Sequence, residues 1–444
     1  MTIWSLARQL CLVLFFWAFA NISVAQEIDK PVTFNLKATE ILPFVEKMIL
    51  SGQLAEARNI LQQIRGKTPD PLQEMFFLAQ IAGLEKKYDE AIKLYRQILA
   101  QNPGLTRVRL DLARTLFLAK KDGKAKLHFE LVLAGELPEK AKEKVETFLH
   151  LIRKRKRWQL RSFFALAPDS NISAGPDQDE VESRFGSGGI LSQDAQETSG
   201  FGLLASLGAN YFWPLDKNKR LKAGANIYRA QYGKSQFNDT YLTANLGPHF
   251  VFQKNTYTLQ ATGSYRWYGE RRYNYSYGLE ISSDHILSRR WRLENSLYWR
   301  EQRYILDKAR EGHVAGGAMR FNYGLNSSSF AQIIAGYSQE KARAESNSFS
   351  AYQMGLGYYK DWGRGMTLYI KPSLSMRNYA AADNFFAIKR EDRRASFLVE
   401  MRKSDWALWG FAPLFSYQYT HNQSNIDFFT YERHRFQMGL SRVF

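Results

Sequence analysis

Cysteine is all but missing. The 444 residues hold one, Cys11, and it lies in a segment read below as a removable leader. A mature chain without thiols has no disulfide and no sulfur ligand for a metal. Also absent are an HExxH helix, a G-x-S-x-G elbow and a glycine-rich phosphate loop. The histidines, among them His249, His285 and His313, are scattered. No catalytic, metal or cofactor site is therefore expected. Acidic residues are scarce as well, 43 against 61 Lys and Arg, for a net charge of +18. That balance suits nucleic acid, anionic lipid or an acidic partner.

The N-terminus narrows these choices. A basic head, Met1 to Arg8, precedes the uncharged run "LCLVLFFWAFA" (Leu10 to Ala20), too short for a comfortable membrane helix. "SVAQ" then sets Ser23 and Ala25 at the −3 and −1 positions of a cleavage site. This predicts a secretory signal peptide over 1–25, a linker over 26–37, and export, which argues against nucleic acid. The mature first residue would be Gln26, which cannot carry a lipid on sulfur.

A helical region with an internal period follows, predicted over 38–157. Ala57, Ala91 and Ala125 recur every 34 residues, as do Leu61, Tyr95 and Phe129, and Val45, Ala79 and Ala113. Pro69 and Pro103 keep the spacing, and Pro138 comes one residue late. This resembles the tetratricopeptide repeat, in which a small residue sits where paired helices cross. One hairpin cannot bury its apolar face alone, so three stacked units share a core. "EKAKEKVETFLHLIRKRKRW" would cap the stack.

From Trp158 the period becomes two. "MTLYIKPSLSMR" sets Met366, Leu368, Ile370, Pro372, Leu374 and Met376 opposite Thr367, Tyr369, Lys371, Ser373, Ser375 and Arg377. A soluble sandwich would alternate likewise. Against it stand aromatics at strand ends (Trp213, Trp267, Tyr337, Tyr419) and links that alternate between tight and long. Fourteen strands are expected, near 158–168, 198–213, 220–232, 240–252, 256–268, 273–287, 291–303, 313–324, 329–339, 350–360, 366–379, 391–402, 407–420 and 431–444. The fold class is thus an α-helical repeat solenoid followed by a 14-stranded antiparallel transmembrane β-barrel over 158–444. The closing strand carries a barrel-insertion signal, Phe436, Met438, Leu440 and Phe444, with Arg442 out of pattern.

Helical repeats, then "RSFFALAPDSNIS", then a fourteen-strand barrel resemble the Slam family, the surface lipoprotein assembly modulators. The motif carried over is Pro168, Asp169, Ser170, Asn171 and Ile172. The resemblance implies an outer-membrane location with the helices in the periplasm. It also implies delivery of a client surface lipoprotein, or of a related secreted haem- or metal-scavenging protein. The barrel-insertion machinery and lipopolysaccharide would be further partners, and a monomer is expected.

Candidate positions follow from the two periods. Arg266, Lys371, Arg377 and Arg435 are predicted to line a wet lumen and favour acidic or unfolded passengers. Gln73, Phe76, Gln80, Arg107, Leu110, Arg114 and Phe117 form the predicted client-binding face of the repeats, with core packing the favoured role for Phe76, Leu110 and Phe117. Asp169 and Asn171 suit a turn whose side chains satisfy local backbone donors. The stretch 173–198 is long enough to enter the lumen or act as a lid, or to be an ordinary outer loop. Arg271, Arg272, Arg393 and Arg394 are assigned to outer loops facing lipopolysaccharide phosphates, and "RKRKR" (Arg153 to Arg157) to the helix–barrel junction. The rival functions are an exopolysaccharide exporter, a passive porin with an interaction module, and a membrane hydrolase assembled across strands.

Overall fold

The computed structural model describes residues 38–443 apart from Lys67, Pro69, Glu136, Lys156, Arg184 and Phe185. The signal peptide and linker readings, Pro69 of the proline series, Lys156 of the basic run and Phe444 of the insertion signal lie outside the described residues.

Seven helices pair by the 34-residue period: α1 (Ala38–Leu50) with α2 (Leu54–Gln63), α3 (Pro71–Leu84) with α4 (Tyr88–Gln101), and α5 (Thr106–Leu118) with α6 (Asp122–Ala134). The last, α7 (Glu139–Arg155), covers the exposed end of the stack. Every repeated anchor is buried, from Val45, Ala57 and Leu61 at 0% exposure to Tyr95 at 3%. Alanine at the crossings lets helix axes approach, and the larger anchors fill the space between units. Pro71 opens α3 at a position with no backbone donor to lose, and the Asp70 carboxylate accepts from the Gln73 N–H at 3.0 Å. Each hairpin turns through one left-handed residue, Gly52 (φ 84°), Lys86 (φ 63°) and Lys120 (φ 58°), again 34 apart. Only the first uses glycine, so the two lysines hold a costly backbone conformation.

The barrel begins with β1 (Trp158–Asp169), and a small hairpin, β2 (Glu180–Ser183) with β3 (Gly186–Ile190), stands outside it. The remaining walls are β4 (Gly200–Pro214), β5 (Lys219–Tyr232), β6 (Asp239–Val251), β7 (Asn255–Tyr268), β8 (Arg271–Ile286) and β9 (Trp291–Tyr304). Then come β10 (Gly312–Asn326), β11 (Ser329–Ala342), β12 (Phe349–Gly363), β13 (Met366–Ala382), β14 (Lys389–Lys403), β15 (Ala412–Ser424) and β16 (Tyr431–Val443). Neighbours pair in antiparallel sequence order and β16 returns to β1, closing fourteen strands. Closure removes every sheet edge, which hydrocarbon requires.

Two expectations needed correction. The thirteenth barrel strand starts at Ala412, not 407, because Trp409 (φ 50°) and Gly410 (φ 85°) make a tight turn joining Leu408 to Phe411. The β2–β3 hairpin occupies a stretch read as loop. Outward positions hold large apolar side chains in the open, including Leu297, Leu356 and Leu374 at 62%, 59% and 63% exposure. Rings gather at both rims. Trp158, Tyr211 and Trp213 touch at centroid distances of 4.5 and 4.4 Å at the inner end, and Tyr265 meets Trp267 at 4.4 Å at the outer end. These are the interfacial belts of a membrane barrel.

Replacing Lys120 by glycine relieves the left-handed strain while leaving its neighbour Lys121 on Asp89. The helical part should gain up to about 1 kcal/mol. Its melting temperature, followed by far-ultraviolet dichroism, should rise, and a fall would contradict the strain argument.

Candidate functional site

The seam between first and last strands is the shortest ladder in the barrel. Among the described residues β1 and β16 share seven paired positions, where every other barrel ladder has at least eleven. The pairing skips Ala167 and Pro168, the latter with no N–H to give, and resumes at Asp169 opposite Arg435. Side chains of the next residues take over. The Asp169 carboxylate accepts from Arg433 Nε at 2.8 Å and Nη2 at 2.5 Å, and the Asp169 side chain is fully buried. The Ser170 N–H donates to the His434 carbonyl at 2.9 Å, and the His434 N–H donates back to Ser170 Oγ at 2.9 Å. Asn171 Nδ2 donates to the carbonyls of Glu432 at 3.0 Å and Gly175 at 2.8 Å. Ile172 then drops into an apolar cluster inside the barrel with Ala165, Leu204, Ala230, Tyr232 and Phe237. The predicted local turn bond exists, from the Asn171 N–H to Asp169 Oδ1 at 3.2 Å. The larger role of both side chains is to hold β16.

The strap after the motif is fastened at its base. Ile172 N–H donates to the Thr198 carbonyl at 2.7 Å, Glu197 N–H to the Pro176 carbonyl at 2.8 Å, and Ser173 Oγ to the Gln196 carbonyl at 2.7 Å. Gly175 and Pro176 are buried, while Ile190 at the hairpin end is 81% exposed.

Strand register turns Arg266, Lys371, Arg377 and Arg435 to the inside. They are not equivalent. Arg266 is held by Asp239 through two 2.9 Å bonds and ringed by Tyr241, Tyr268 and Tyr273, so its charge is already answered. Lys371 and Arg377 line a 430 Å³ cavity. Arg435 donates to Gln418 at 2.7 Å. Arg394 also lines that cavity, which corrects its assignment to an outer loop. The strand β14 starts at Lys389, so Arg393 faces outward within it and Arg394 inward. Phe436, Met438 and Leu440 lie on the outward face at 52%, 52% and 47% exposure, and Arg442 lays its guanidinium over Phe411 at 5.5 Å.

On the helices, Gln73, Arg107 and Arg114 are exposed, and Gln80 is half-buried. Phe76 and Phe117 pack at the core edge, against Tyr95 at 6.0 Å and Phe148 at 5.0 Å, each beneath a guanidinium, Arg107 and Arg155 respectively. Leu110 packs there too. Sequence reasoning passed over Leu50, Leu84 and Leu118, exposed at 82%, 58% and 54%. Their own spacing of 34 was the signal available.

The helical unit rests on the inner rim of the barrel, at five of its six inner links and at the start of β5 beside the sixth. Lys154 meets Arg220, Arg153 meets Gln253, Glu139 meets Arg289, Gly104 meets Ser327, Arg96 meets Arg364, and Arg96 also pairs with Asp405. The most buried contact joins Arg109 of α5 to Asp361 of β12 at 2.7 Å, with side chains 0% and 6% exposed. Arg109 also donates to the Pro103 carbonyl at 3.1 Å and to His128 Nδ1 at 3.2 Å, so His128 carries its proton on Nε2. Gly363 (φ 80°) lets the turn after β12 touch α4, since a Cβ there would lie 2.6 Å from the Leu99 carbonyl carbon. Burial first, and then the Arg109 charge, push the His128 pKa down to about 3 against the pull of Asp361.

Comparison with known proteins is consistent across the chain. Residues 158–444 match the family model described as surface lipoprotein assembly modifier, and 46–129 match the model of that family's N-terminal TPR repeats. A surface lipoprotein assembly modifier of Pasteurella multocida is 25% identical over 403 residues, covering 85% of this chain and 78% of that protein. Surface lipoprotein assembly modifier 1 of Haemophilus influenzae is 22% identical over 391 residues, covering 85% and 79%. A hemophilin secretion modulator of Acinetobacter baumannii is 22% identical over 398 residues, covering 82% and 76%.

Asp169→Asn leaves Arg433 without its counter-charge at the shortest ladder. We expect a loss of about 2–3 kcal/mol, read as a lower temperature at which the barrel loses its compact, fast-migrating form on detergent gels. Docking of the helices should weaken in mild acid. With its folded pKa near 3, His128 binds a proton only in the unfolded state between that value and about 6.5, so stability falls as pH drops through this window. The effect from pH 7 to 5 is on the order of 1–2 kcal/mol, and His128→Gln should flatten it in a melting series.

Proposed function

Because the chain belongs to the surface lipoprotein assembly modifier family, we propose that it delivers a specific client protein, a surface lipoprotein or a related secreted protein, from the periplasm to the cell surface. The barrel sits in the outer membrane and the helices lie in the periplasm. The observation that carries the reading is the seating of the helical unit around the inner rim of the barrel, which keeps a capture surface beside the entrance. Arg107 and Arg114 present exposed charge for that capture. The barrel then passes the client outward, and no catalytic step or cofactor takes part. Client folding or binding outside supplies the direction, since the periplasm offers no nucleotide. Lipopolysaccharide at the outer rim, where Arg271 and Arg272 are exposed, and the insertion machinery that reads Phe436, Met438 and Leu440 complete the partners of a monomer.

The test compares surface proteins of cells with and without the chain by protease shaving and mass spectrometry. Loss of one protein from the surface, with its accumulation in the periplasm, is expected. Loss of a polysaccharide would replace this reading with polymer export. Arg107→Glu with Arg114→Glu should lower client delivery several-fold while leaving the barrel heat-modifiable. Delivery that persists for a client unable to fold outside would remove the proposed driving force.

A further inference from the structure

The lumen is electrically two-sided. On one wall each arginine has a carboxylate: Arg266 with Asp239 at 2.9 Å, Arg300 with Glu280 at 3.2 Å and Arg320 with Glu294 at 3.0 Å. The wall of β13 to β16 differs. After the Arg390–Asp392 and Arg433–Asp169 pairs, the inward cations Lys371, Arg377, Arg394, Arg402 and Arg435 have no carboxylate within ion-pair distance among the described residues; Glu400 on the same wall and Glu340 on β11, across Phe349 from Arg377, are the inward carboxylates left near them.

These charges line continuous space. Lys371, Arg377 and Arg394 border the 430 Å³ cavity with Ser375, Ser396 and Gln418. Arg394, Ser396 and Gln418 also border a second cavity of 180 Å³ that reaches Arg435 on the seam strand. A small anion needs donors that converge on one point. Here Lys371 and Arg377 lie six residues apart on one strand, a spread of roughly 20 Å. That suits an elongated ligand with charges at intervals and a backbone to bond the hydroxyls and amides between them. Cations in a confined channel also act over longer range than on an open surface.

We infer that the β13–β16 wall is a binding track for an acidic, extended polypeptide segment, running beside the β1–β16 seam. It deepens the proposed translocation and rests on that reading for its biological passenger, while the binding itself can be measured alone.

The experiment uses the full mature chain in detergent and a short fluorescein-labelled oligoglutamate, followed by fluorescence anisotropy. Saturable, salt-sensitive binding is expected. It should weaken about tenfold or more in Lys371→Gln/Arg377→Gln/Arg394→Gln and stay unchanged in Arg300→Gln on the neutralised wall. Heat-modified gel mobility verifies closure of each barrel, and Lys371→Gln alone serves if the triple variant does not close. Equal affinity in the variant of the basic wall, an equal loss in Arg300→Gln, or displacement by inorganic phosphate at matched ionic strength would overturn the track, the last in favour of a small-anion site. Oligoglutamate binding that holds while surface delivery shows no dependence on the chain would leave the track standing and refute the translocation.

Discussion

A strand exposed to hydrocarbon has nowhere to send its backbone hydrogen bonds, and that constraint shapes everything after Trp158. Fourteen strands can satisfy it only if the last finds the first. The join made here is short, and Pro168 interrupts it. Charge and amide contacts from Asp169, Ser170 and Asn171 stand where ladder bonds would be, and Ile172 pins the next segment inside. The stretch Pro168–Ile172 is therefore a fastener for the one junction that chain connectivity leaves unlinked.

The helical half answers a different problem by repetition. Each hairpin buries its anchors at the same repeat positions and turns through a left-handed residue at the same place. Its attachment combines close packing, Ala134 on Gly324 and Leu99 on Gly363, with ion pairs and backbone contacts around the rim, and has one deeply buried pair at Arg109. The polar contacts fix orientation, because each demands its own geometry.

Much of this was legible in the residues. Periods of 34 and two located both halves, since each reports a burial pattern that the backbone geometry imposes. The start of β15 was not, because the positive-φ turn at Trp409 and Gly410 interrupts a pattern that reads as continuous. Which lumen cations remain free was also hidden. The partner of Arg266 lies 27 residues away and Glu130 stands 162 from Arg292, distances that only register and docking resolve. Arg394 shows the sharpest form of this difficulty, for it and Arg393 face opposite solvents. For Phe76, Leu110 and Phe117 the sequence left both client capture and core packing open and favoured packing, and their neighbours do cover them.

The Arg109–Asp361 contact joins residues 252 positions apart. During biogenesis the helical unit is complete long before β12 exists, and until then that guanidinium has its partners in the Pro103 carbonyl and His128 but no counter-charge. Only a finished wall supplies the carboxylate, so seating of the helices certifies the barrel beneath them. A truncated or misregistered product would keep its periplasmic half undocked and open to quality-control proteases.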